Sequence, residues 1–151
     1  MVALFFTQAD LERAAGGAAV IVKLLDKDED GVADADHVEA VLVAGSSEIA
    51  SYIQKTVELS SLTVPYPSAL VLKAADCGVF HAWVRGSEGQ AVPPNVQALY
   101  DAAIRWAVDV GRRQATLGVV PKPGLDPPAK LVDADPEGMG ISRRGFARGF
   151  R

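Results

Sequence analysis

The placement of glycine and proline allows this chain to be helical only in separate pieces, and not at all over its last fifth. Gly16-Gly17 interrupts an opening helix. Thr63-Val64-Pro65-Tyr66-Pro67 loses two amide donors and pushes the residues before each proline out of the helical region. Gly86-Ser87-Glu88-Gly89 and then Pro93-Pro94 mark a further break. Beyond Gly118, Pro121, Pro123, Gly124, Pro127, Pro128, Pro136, Gly138 and Gly140 forbid a regular helix altogether. The chain therefore divides into a helical body, residues 1–118, and an extended Pro/Gly-rich C-terminal arm, residues 119–151.

Within the body the apolar residues recur at helical spacing. Thr7 reads as the cap of a first short helix, with Asp10 at the third helical position completing a capping box. Ala18 to Leu25 continues as a second apolar segment. A long helix begins near Asp36 and carries Val38, Val41, Leu42, Ile49, Tyr52, Ile53 and Val57. Gly45-Ser46-Ser47 in its middle predicts a bend or a close helix contact. Pro67 opens another helix, through Leu70, Ala74, Cys77, Phe80 and Val84 to about Arg85. The last starts at Pro93-Pro94 and ends around Gly118, with Arg112-Arg113 near the negative end of its dipole. The fold class that follows is mainly α: a compact helical bundle of four to five helices, with an acidic turn and the extended arm. At 151 residues and 49% hydrophobic content, one domain can bury a real core.

The acidic turn is Asp26-Lys27-Asp28-Glu29-Asp30-Gly31-Val32-Ala33-Asp34, between the second and third helical segments. Carboxylates at every second position repel one another unless a hard cation or water surrounds them. In a helix–loop–helix calcium site, Asp26, Asp28 and Asp30 fall at positions one, three and five, Gly31 at the sharp turn, the Val32 carbonyl at seven and Asp34 at nine. Position twelve, where a bidentate Glu closes the shell, is His37. Two readings stay open: a structural calcium site, and a solvated turn whose Asp36 and Glu39 form a capping box for the next helix.

Other chemistry is thin. Cys77 and His81 stand four apart on one helical face, a spacing shared by metal ligands and by a core cysteine beside a half-buried histidine. The second of these is the expectation, because no partner pair with zinc spacing exists. Trp83 and Trp106 read as core or interface anchors. No nucleophile elbow, phosphate loop or zinc-protease motif occurs, so no enzyme is expected and no cofactor is required. Sparse aromatics give no stacking platform for nucleic acid. No apolar run reaches membrane-spanning length, no signal peptide is read, and the single cysteine excludes an internal disulfide and suits a reducing cytoplasm.

Charge is unevenly divided. The arm carries six basic and four acidic residues, a net +2, which leaves the body at −6. The arm ends in Arg143, Arg144, Phe146, Arg148, Phe150 and Arg151. Disorder is one reading of such a segment; the other is an arm that docks its Phe and Arg residues on a neighbouring subunit.

The order of these landmarks resembles a known family. Thr-Gln-Ala-Asp-Leu, Leu-Leu-Asp-Lys-Asp-Glu-Asp-Gly-Val-Ala-Asp, Val-Glu-Ala, Glu-Ile-Ala-Ser-Tyr-Ile, a Pro-x-x-Leu helix start and a Trp-bearing last helix follow in turn. Across nearly the whole chain this is similar to the Mu-type phage family of head–tail connector (head completion) proteins. Members often end in Phe-x-Arg…Gly-Phe, to which Arg144 to Phe150 is similar. Lys55-Thr56 stands where the family usually has Arg-Tyr, and Glu29 where glycine is common. The resemblance implies a helical adaptor without catalytic residues, present in the virion after assembly in the host cytoplasm. It implies a homo-oligomeric ring of about twelve copies, a dodecamer, beneath the portal. Its implied partners are the portal protein and the tail terminator or tail tube protein, with DNA passing through the channel and no membrane. The competing expectation is a calcium-responsive binding module in which the acidic turn is a switch.

Overall fold

The breaks at Gly16-Gly17, Pro67, Gly86 and Pro93-Pro94 each end or begin a helix in the computed structural model, which describes residues 3–87, 89–115 and 117. Five α-helices follow in order: α1 (Gln8–Ala15), α2 (Ala18–Leu25), α3 (Ala35–Ile53), α4 (Ser68–Gly86) and α5 (Pro94–Gly111), with a 3-10 turn at Leu59–Ser61 between α3 and α4. No β-strand occurs among the described residues, and the helices pack as a compact bundle. No described helix is long and apolar enough to cross a membrane.

The capping box at α1 forms as the sequence predicts. Thr7 Oγ1 accepts from the Asp10 amide at 3.3 Å, and Asp10 Oδ2 accepts from the Thr7 amide at 2.9 Å. Those bonds from Thr7, with help from Arg13, hold the Asp10 carboxyl below its ordinary range. Gly16, in the left-handed region at φ 88°, turns the chain so that the Gly17 amide reaches back to the Glu12 carbonyl and α2 can start at once.

The bundle is built around α4. Residues 74–79 are buried in succession, so this helix is covered on every side, by α1, α2, α3 and α5. Its most extensive packing is against α3. A Cβ on Gly45 would lie 2.9 Å from the Ala74 carbonyl oxygen and 2.9 Å from the Gly78 amide. Gly45 lets the backbones touch, while a Cβ on Gly78 would meet the Phe6 ring at 2.6 Å. The close-contact reading of Gly45 therefore holds, and α3 runs through it as one unbroken helix. Beside it, fully buried Ser46 accepts the Phe5 amide at 3.0 Å, tying the N-terminal segment to mid-α3. The Phe5 ring meets Tyr66 edge-on at 5.5 Å.

Three helix ends differ from the sequence expectation. α3 begins at Ala35 behind Asp34, so Asp36 lies inside the first turn and the Asp36–Glu39 capping box does not form. At its other end α3 stops at Ile53, short of Val57, which is buried in the following turn. α5 ends at Gly111 rather than near Gly118: Arg113 enters the left-handed region at φ 62°, and the Gln114 and Ala115 amides both return to the Asp109 carbonyl. At Gly111 the helix also abuts the Tyr52 carbonyl oxygen, 2.5 Å from where a Cβ would stand. Arg112-Arg113 thus sits just past the helix end.

Candidate functional site

The acidic turn is wound by its own carboxylates. Asp26, at the end of α2, takes the Gly31 amide on Oδ2 at 2.8 Å and the Asp30 amide on Oδ1 at 3.2 Å. Asp30 accepts the Val32 amide at 2.8 Å, and Asp28 shares the Asp30 amide at 3.3 Å. Left-handed backbone at Glu29 (φ 60°) and Gly31 (φ 85°) makes this winding feasible. The Asp34 amide closes the turn onto the Leu25 carbonyl at 3.0 Å. Ligand oxygens of Asp26, Asp28 and Asp30 gather within 4.8 Å of one another. The Asp30 amide pulls the Asp28 carboxyl down, but partial desolvation and repulsion from Asp30 and Asp34 outweigh it and leave the group raised.

This donor set fits half of a calcium shell. Three carboxylates converge as a hard cation requires, whereas calcium takes six to eight oxygens. Asp34 is not among them, and its Oδ2 accepts the Lys27 amide at 2.9 Å. The same engagement explains why Asp34 precedes α3 without capping it by a side-chain bond. Val32 is 63% exposed. At the closing position, His37 offers nitrogen, and its Nδ1 is buried with no hydrogen-bond partner. The turn supplies an oxygen nest open at one end.

A second polar constellation joins three helices. Glu48 of α3 accepts the Tyr100 hydroxyl of α5 at 2.6 Å on Oε1 and bonds His81 Nε2 of α4 at 2.7 Å on Oε2. Facing a carboxylate, that ring nitrogen carries the proton. Phe80 stacks on Tyr100 with ring centres 4.0 Å apart. Desolvation and the bond to Glu48 push the Tyr100 hydroxyl well above its ordinary range. Every member is occupied by another, so the arrangement clasps the bundle and leaves no base poised over a substrate.

A family model described as Bacteriophage Mu, Gp36 matches residues 5–132, which include all five helices and the acidic turn. The chain belongs to the bacteriophage Mu Gp36 family. No curated protein and no solved structure matches it.

In this Gp36-family protein the Cys77–His81 pair is not a ligand pair. Cys77 is fully buried, and desolvation together with the Glu48 and Asp76 carboxylates pushes its thiol up to about 12, while His81 turns to Glu48. Trp83 and Trp106 pack half-buried against the core. The arm residues Arg143, Arg144, Phe146, Arg148 and Phe150 lie outside the described residues. Sequence reasoning missed the Glu48 clasp. Its one signal is that Glu48 heads the Glu-Ile-Ala-Ser-Tyr-Ile segment already singled out as a landmark.

Proposed function

We propose that this chain is a structural adaptor of a tailed phage or phage-derived particle, a ring subunit joining the portal to tail components. The observation that carries the reading is the family match over residues 5–132, which coincides with the ordered landmarks of the connector family. The physical character of the body agrees with it. Five helices closed by a buried core and a three-helix clasp make a firm body. The acidic body and basic arm are complementary, so copies can associate head to tail, and such contacts close into a ring when the rotation allows. A ring of about twelve copies dissolves only when many contacts break together, so each contact can be modest. The portal protein binds one face and the tail terminator or tail tube protein the other, with DNA passing through the channel, and the chain resides in the virion.

The acidic turn serves this role as a stiff corner. Calcium, where present, fills the nest of Asp26, Asp28 and Asp30 and stiffens it further; the function is structural. The gathering of those three carboxylates is also what a calcium-responsive module would need. Calorimetry separates the two: micromolar binding with a large conformational change favours the switch, and calcium-independent assembly with portal excludes it.

The adaptor is tested by producing particles without this chain. Filled heads and free, unattached tails are expected, rejoined when purified protein is added. Deleting residues 141–151 is expected to abolish joining while circular dichroism of the body stays unchanged; joined particles from the deletion would refute the role of the arm.

A further inference from the structure

The whole net charge of the body is local. Residues 26–39 carry seven acidic side chains and Lys27, a net −6, and the rest of residues 1–118 is balanced at eight acidic and eight basic. Directly beyond that stretch, an apolar groove of about 280 Å³ opens between α3 and α4. Ala40, Val41 and Ala44 line one wall and His81, Val84 and Arg85 the other. Val84 is 54% exposed, one of the few large apolar side chains on the surface. Asp36, Ala40 and Ala44 follow at i, i+4 spacing, so one helical face runs from a carboxylate into the apolar floor. Residues 141–151 are the electrostatic and chemical counterpart: four arginines, two phenylalanines and no acid.

We propose that the α3–α4 groove receives residues 141–151 of a second copy of this chain, with Phe146 or Phe150 over Val84 and arginines toward Asp36 and the acidic turn. The occupant rests on the adaptor reading above, in which copies adjoin. Arg85 fixes the direction, since guanidinium groups are repelled from that wall and drawn to the acidic end. Reach is ample: the 23 residues from 118 to 140 span up to about 80 Å when extended. Groove and arm are different surfaces, so the contact is heterologous and repeats from copy to copy until the ring closes.

The test uses the full-length chain with its own arm disabled by Phe146→Ser and Phe150→Ser, titrated with a fluorescent peptide of residues 141–151. Saturable, salt-sensitive binding is expected. Val84→Lys in that background weakens it about tenfold or more, as loss of a buried apolar contact does. Asp36→Asn weakens it up to about fivefold. Both positions are exposed, so the thermal midpoint serves as the folding control. No saturable binding, or equal binding by the Val84→Lys variant, overturns the groove. Sedimentation of the wild-type chain above the measured dissociation constant is expected to give species larger than a monomer; a monomer throughout overturns the second copy as occupant. Peptide binding by a chain that is absent from particles would sink the adaptor reading alone, and a chain present at the joint whose groove ignores the peptide would sink this inference alone.

Discussion

Gly45→Ala isolates the claim that the bundle is set by backbone contact between α3 and α4. Judged as a helix position, the change should stabilise, because alanine is favoured over glycine by up to about 1 kcal/mol in a helix interior. The structure predicts the opposite sign. The new methyl carbon would stand 2.9 Å from both the Ala74 carbonyl oxygen and the Gly78 amide, and 3.1 Å from the Gly78 Cα. All three are backbone atoms of the most buried helix, so no rotamer change can relieve them. Overpacking of this kind costs about 1–3 kcal/mol. Against the propensity gain, a net loss of up to about 2 kcal/mol is expected, a fall in the thermal midpoint of up to roughly 10 °C for a body of this size. Circular dichroism melts and urea midpoints at matched concentration read it. A Gly45→Ala chain more stable than the wild type, as an uncrowded helix position would give, would refute the close crossing.

Three further perturbations follow from single residues. Asp76 is buried and its carboxyl is raised, mainly by desolvation, with Lys73 at 3.3 Å opposing. The folded state therefore resists losing that proton, and stability falls as pH rises from the ordinary aspartate range through the raised value; Asp76→Asn should be more stable than wild type at pH 7 and lose that advantage near pH 3, and an advantage independent of pH would refute the burial penalty. Glu48→Gln keeps the shape of the clasp but removes the charge shared by His81 and Tyr100, so a loss of about 1–2 kcal/mol is expected by urea unfolding, with a non-additive double mutant when combined with Tyr100→Phe. If the turn holds calcium, replacing Asp28 and Asp30 with alanine should lower the thermal midpoint more in calcium than in chelator, and an equal fall in chelator would show that the carboxylates act only by winding the turn.

What the sequence revealed and what it hid divide along the distance between partners. The Thr7–Asp10 capping box, the stop at Gly16-Gly17 and the helix starts after Pro67 and at Pro94 are made by residues a few positions apart, and all were legible. The acidic turn was legible for the same reason. Its errors lay at its edges: the helix starts behind Asp34 rather than at Asp36, and the Asp34 carboxylate accepts the Lys27 amide instead of capping it. Gly45 could be read as a bend or a contact until Gly78 was seen opposite it. The Glu48 clasp was invisible, because its partners lie 33 and 52 residues away and no local pattern links them.

The most direct test of the adaptor reading is imaging of purified particles carrying an affinity label on this chain. A ring of label and helical density between the portal vertex and the tail is the predicted result. Particles whose head–tail joint is complete without the chain, or a chain located at any other place in the particle, would contradict it.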